Sequence, residues 1–110
     1  MTILSGNAAQ SVYAITTAMT AMGNSTDIYS CPIRVLSAQA TVKGTGTVSA
    51  TVNLQASLDG LNFVTIKTFT LSGTTAATDL ALLDSTFQYY QANVSAISGT
   101  SAQVSMYIKT

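Results

Sequence analysis

From Thr47 to Leu58 the chain reads TVSATVNLQASL, and every second residue is apolar: Val48, Ala50, Val52, Leu54, Ala56 and Leu58 alternate with Thr47, Ser49, Thr51, Asn53, Gln55 and Ser57. Successive side chains of a strand point to opposite faces, so this pattern buries one face and wets the other. A helix would scatter the same residues around its axis. Period-two alternation dominates from about residue 28 onward, and no segment keeps a 3.6-residue period between helix caps. The expectation is an all-β chain.

Two runs change phase. In FVTIKTFTL (63–71), Val64 and Ile66 lie on one parity and Phe69 and Leu71 on the other, which calls for a one-residue slip near Lys67 or Thr68, as in a β-bulge. In IRVLSAQATVK (33–43), Ile33 and Val35 oppose Leu36, Ala38, Ala40 and Val42, so a bulge or bend is expected there too. TFQYYQANVSAI (86–97) and AQVSMYIK (102–109) read as the last two strands, joined through SGTS, where Gly99 supplies the positive φ of a short turn. Similar Gly-Thr punctuation at KGTGT (43–47) and SGTTAATD (72–79) marks further connections. Counting 11–19, 28–31, 33–43, 47–58, 63–71, 80–83, 86–97 and 102–109 gives about eight strands, which suits an antiparallel two-sheet β-sandwich, jelly-roll-like, with a small closed barrel as the alternative. Residues 1–27 read as an N-terminal arm and edge strand, a helix over 14–22 competing, and residues 28–110 as the sandwich domain. Ile3 and Leu4 of the arm have no evident strand to join and are expected to pack on a neighbouring subunit or on a larger assembly to which the chain binds.

Only 7% of the 110 residues are charged, and Glu, His and Trp are missing, so Ser, Thr, Asn and Gln carry the polarity. With 47% apolar residues and zero formal charge the composition is that of a folding chain, not a disordered one. Arg34, Lys43, Lys67 and Lys109 are scattered and cannot neutralise a row of phosphates, which argues against nucleic acid as a partner. No window approaches the ~18 apolar residues of a membrane-spanning helix, and MTILSGNAAQ lacks the positive start of a signal peptide, so a soluble, unprocessed chain without membrane contact is expected. Near-zero charge removes long-range repulsion between copies and favours self-association. The single cysteine, Cys31, excludes an intrachain disulfide or a cysteine zinc cluster. It is expected to be a buried free thiol, with an interchain disulfide or a reactive thiol as the alternative.

Asp59 and Gly60 sit where the 47–58 strand reverses into 63–71. Asp bonds to amides two residues on and Gly accepts positive φ, so SLDGLNF reads as a hairpin loop. Catalysis by carboxylates takes two with separated pKa values, and a calcium loop takes several closely spaced oxygen ligands; neither is present around Asp59. Without His, the Ser and Thr hydroxyls lack an imidazole base, and no phosphate-cradling glycine loop precedes a helix. No catalytic, cofactor-binding or metal-ligating residues are expected, and no enzyme. Tyr89 and Tyr90 are adjacent in a strand and point to opposite faces, so one packs and the other is a candidate contact to solvent, sugar or a partner.

Two segments, TVSATVNLQASLDGLNFVTIKTFTLSGT (47–74) and FQYYQANVSAISGTSAQVSMYI (87–108), together resemble small β-sandwich structural proteins of tailed-bacteriophage virions. The resemblance is carried by Gln55, Ser57, Asp59, Gly60, Asn62 and Phe63, then Tyr89 or Tyr90, Ala92, Val94, Ile97, Ser98, Gly99 and Thr100. It implies a non-enzymatic virion protein made in the host cytoplasm. Decoration (cement) of the capsid shell is the leading expectation, with head-fibre or tail components also in the group. Its implied partners are copies of itself, commonly as a trimer, and the major capsid protein or other virion proteins. The alternative is a tail or fibre component whose sandwich binds a glycan or receptor. The similar discoidin-like carbohydrate-binding modules commonly carry Trp where this chain has Phe63, which weakens that alternative.

Overall fold

The computed structural model describes residues 12–25, 28–30 and 34–110. Among these the chain is all-β and antiparallel, as the alternation requires. Its strands are β1 (Val12–Met19), β2 (Gly23–Asn24), β3 (Tyr29–Ser30), β4 (Val35–Ser57), β5 (Val64–Ser85) and β6 (Tyr89–Lys109). They form one hydrogen-bonded network with β4 between β5 and β6, and with β1, β2 and β3 in succession along the far side of β6. Among the described residues β5 pairs with β4 alone and is an edge over its whole length. Residues 14–19 are strand, not helix, paired with β6 through Val12 to Met19.

The three long strands hold 23, 22 and 21 residues. At about 3.3 Å per residue each would run roughly 70 Å if straight, yet the longest dimension of the molecule is 38 Å. Each strand must fold back on itself. The place is marked by register breaks shared across the sheet, between Lys43 and Thr47 against β5 and between Lys43 and Ser49 against β6. Positive φ angles cluster there too: Gly46 (73°), Thr75 (65°), Gly99 (122°) and Ser101 (55°). Thr47 pairs with Thr74 and Thr45 with Thr100, so the breaks line up as one crease. It divides the sheet into a lower limb (β4 35–43, β5 77–85, β6 102–109, β1) and an upper limb (β4 47–57, β5 64–74, β6 89–98, β2, β3). Ile66 of one limb and Leu83 of the other line the same cleft, at the open end opposite the crease.

This corrects the strand count. KGTGT, SGTTAATD and SGTS are not connections between separate strands but three points on the crease, and the described residues form six strands where eight were expected. Gly99 lies inside β6, where a Cβ would sit 2.8 Å from Val48 Cγ1 and 2.9 Å from the Thr47 carbonyl oxygen. Both its φ and this close approach require glycine.

The two phase changes have structural causes. Leu54 pairs with Lys67 but Gln55 with Thr65, leaving Ile66 as the extra residue of a bulge. At the other end Val35 pairs with Ser85 and Ser37 with Leu82, so the extra residue lies on β5, beside Asp84 at φ 54°. Val35 and Ala38, of opposite parity on β4, are nonetheless both buried beside this register break, and Leu36 between them is exposed. Ala38, Ala40, Val42, Val48, Val52 and Leu54 of β4 meet Phe69, Leu71, Tyr90, Val94, Val104, Met106 and Ile108 in one buried cluster spanning both limbs. The architecture is an antiparallel, creased sheet compatible with a β-sandwich.

Candidate functional site

The loop between β4 and β5 is organised by short-range bonds. Ser57 Oγ donates to Asp59 Oδ1 (2.7 Å) and accepts from the amides of Asp59 and Gly60 (3.1 and 3.0 Å). Asp59 Oδ1 also accepts from the amides of Leu61 and Asn62 (both 2.9 Å), and Asn62 Nδ2 donates to Oδ2 (2.7 Å). The Asn62 amide, then the Ser57 hydroxyl, then the Leu61 amide and the Asn62 side chain hold the Asp59 carboxyl well below the usual carboxylate range. The group stays ionised and its oxygens are committed to the loop. Gly60 has φ 76°, and the Tyr89 ring lies 3.5 Å from where a Cβ would sit. Among the described residues no group of three or more His, Cys, Asp or Glu side chains gathers to hold a metal ion.

The outward faces of the two limbs differ. Across the upper limb runs a ladder of neutral polar side chains: Thr68 Oγ1 donates to Asn53 Oδ1 (2.8 Å), Asn53 Nδ2 to Asn93 Oδ1 (3.0 Å), and Asn93 Nδ2 to Asn24 Oδ1 (2.7 Å). One row along, Gln91 Nε2 donates to Gln55 Oε1 (2.6 Å) and Gln55 Nε2 to Thr65 Oγ1 (3.3 Å). These amides satisfy one another across strands, the usual means of stabilising a sheet surface.

Around β5 the surface is apolar instead. Among the described residues nine large hydrophobic side chains are exposed, and six of them, Leu58, Leu61, Val64, Leu80, Leu82 and Phe87, belong to β5 or the loops flanking it. Exposed apolar residues scattered singly are ordinary, and this concentration is not. Leu58, Val64, Ile66 and Phe87 line a cleft at the open end, with Leu61 beside them at 84% exposure. Leu82, at 91%, and Leu80 share the outward face of the lower limb with Ser37, Gln39, Tyr107 and Lys109, and Leu80, Tyr107, Lys109 and Val12 line a shallow groove.

The backbone edge of β5 is blunted. Bulges interrupt it at Ile66 and beside Asp84, and two charged residues take the inward parity, Lys67 opposite Leu54 and Asp79 opposite Ala40. Both devices discourage a further strand from adding to an edge. Asp84, beside the second bulge, is held in an ion pair by Arg34.

Of the sequence-derived positions, Tyr90 is fully buried; its hydroxyl lies 3.1 Å from Ser85 Oγ and accepts from the Phe87 amide at 3.1 Å. It has no surface to give a partner, which corrects its place among the contact candidates. Tyr89 is half-buried over Gly60. Ile3, Leu4 and Cys31 lie outside the described residues. Sequence reasoning missed the leucines, although two signals were present: DLALLD carries apolar residues on both parities of one strand, and SLDGLNF sets Leu58 and Leu61 in a polar turn. Comparison with protein-family models, with curated proteins and with solved structures finds no match for this chain.

Proposed function

We propose that this chain is a non-enzymatic structural protein of a virion, a capsid decoration protein of the tailed-phage type that binds the outer shell and stabilises it. In this reading the two limbs of the creased sheet are the two packed layers of a jelly-roll-like sandwich, and the protein acts as a homo-oligomer. The observation that supports it is the apolar surface around β5 on an otherwise neutral, hydrogen-bonded exterior. Such a surface favours attachment by apolar contact repeated at many copies over steering by charge. Binding should then depend weakly on ionic strength.

The test is retention of the protein on undecorated capsids pelleted through a gradient at low and high salt. Retention that falls less than about twofold at high salt supports apolar attachment. No retention at any salt, together with capture on a glycan array, would transfer the assignment to a receptor-binding tail component.

A further inference from the structure

Asp59 and Gly60 form the one Asp-Gly step in the chain. In an unstructured chain such a step is chemically labile. The glycine amide nitrogen attacks the aspartate Cγ, a carboxyl oxygen leaves as water with the carboxyl proton and the amide proton, and the new N–Cγ bond closes a succinimide ring. Water then opens the ring at either carbonyl, restoring aspartate or leaving isoaspartate, whose backbone runs through Cγ. Glycine permits the attack because no side chain shields its nitrogen and its backbone turns freely.

The folded loop engages both reacting groups. The nucleophile, the Gly60 amide, donates to Ser57 Oγ at 3.0 Å. The electrophile, the Asp59 carboxyl, accepts at Oδ1 from Ser57 Oγ and from the amides of Leu61 and Asn62, and at Oδ2 from the Asn62 side chain. These donors favour the ionised carboxylate, from which no water leaves until a proton is taken up. Ser57 is the last residue of β4, buried and in register with Tyr89, so the sheet positions its hydroxyl. We propose that Asp59–Gly60 is a latent isoaspartate site and that Ser57 is the positioning residue that keeps it closed, its hydroxyl bonded to nucleophile and carboxylate and holding both out of reaction. Conversion then follows opening of the loop. Isoaspartate lengthens the backbone by a carbon and shortens the carboxylate arm by the same, so the bonds to Leu61 and Asn62 are not remade. The loop carries exposed Leu58 and Leu61, and conversion alters that apolar surface with it.

The test is slow incubation of the full chain at neutral pH in water labelled with heavy oxygen, then digestion in ordinary water and mass spectrometry of the peptide that holds residue 59. Each passage through the succinimide adds a heavy oxygen to that residue, whichever product forms. Native wild type is expected to take up label at least about tenfold more slowly than the same chain unfolded in guanidinium. Native Ser57→Ala should take it up at least about tenfold faster than native wild type, as for loss of a hydrogen bond to a charged group. Ser57→Thr, which keeps the hydroxyl, should restore slow uptake. Circular dichroism checks each fold, and denaturant melts give the unfolded fraction, whose contribution the acceleration must exceed. If Ser57→Ala does not fold, Asn62→Ala, which frees Oδ2 from an exposed position, takes its place and must also accelerate uptake. The proposal is overturned by native wild type labelled as fast as the unfolded chain, by a folded variant at the wild-type rate, or by an acceleration shared equally with Asp79 and Asp84. A slower Ser57→Ala overturns it too, and would make the hydroxyl a proton relay from the Gly60 amide to the carboxylate.

Discussion

The outward faces of the two limbs are built from the same three long strands, yet an amide ladder crosses one, while on the other a Thr41–Thr78 hydroxyl pair stands beside exposed leucines. On the upper limb Thr68, Asn53, Asn93 and Asn24 spend their donors and acceptors on each other. On the lower limb the corresponding rows hold Leu80 with Gln39 and Tyr107, and Leu82 with Ser37 and Lys109. Apolar side chains gain nothing from water, so the lower face and the adjoining open end are where a partner lowers the free energy most. Bare polarity does not make a surface inert. Mutual satisfaction of its hydrogen bonds does.

The sharpest way to break the contrast is to remove the crease that separates the limbs. Gly99→Val places a β-branched side chain at φ 122° and against Val48 and the Thr47 carbonyl, and is expected to cost about 2–4 kcal/mol or prevent folding. Chemical denaturation measures it; an unchanged midpoint would show that the crease tolerates a side chain there.

Next comes the face with the ladder. Asn53→Ala removes the central member of the ladder and leaves Thr68 and Asn93 each short of a partner, at about 1–2 kcal/mol. If the variant is as stable as wild type, the ladder is ornament on a sheet held by its core alone.

A smaller and pH-dependent effect belongs to the loop at the open end. The folded-state pKa of Asp59 is depressed, so its stabilisation is complete above the ordinary carboxylate value of about 4 and is lost as pH falls below it. Asp59→Asn should therefore melt below wild type at pH 7, and the gap should narrow at about pH 2–3. A gap that persists unchanged in acid would mean that the carboxylate charge is not what holds the loop.

The smallest change is expected on the face with the exposed leucines. Leu82→Asp should alter stability by no more than about 0.5 kcal/mol, because Leu82 is almost fully exposed in the single chain. A large loss would place Leu82 in the fold and remove the basis for reading that face as a contact surface.

Legibility in the sequence follows the range of the interactions involved. The alternation of β4 and the bonds of Asp59 with Ser57, Leu61 and Asn62 are local, and the residues alone display both. The bulge showed as a change of phase for the same reason, expected near Lys67 or Thr68 and found one residue earlier, at Ile66. The crease did not, because glycine, threonine and positive φ serve a hairpin and a bend equally well. What distinguishes them is that Thr45 stands beside Thr100 and Thr47 beside Thr74, a fact about strands far apart in the chain. Exposure of Leu80 and Leu82 is hidden likewise, since it depends on which face of β5 lies over the core, a matter of its pairing with β4.

Because β4, β5 and β6 each run through the crease, neither limb owns its strands. There is no linker at which one half could melt while the other stays intact, and β1, near the start of the chain, is secured by β6 at its end, Val12 pairing with Lys109. Beyond the hairpin that joins β4 to β5 across the Asp59 loop, the pairings of β6 with β4 and with β1 join distant parts of the chain, which places its folding with the slow, non-local β topologies, on the order of milliseconds to seconds. Amide exchange should accordingly report one unit of protection reaching across both limbs, with the loop at the open end exchanging ahead of it.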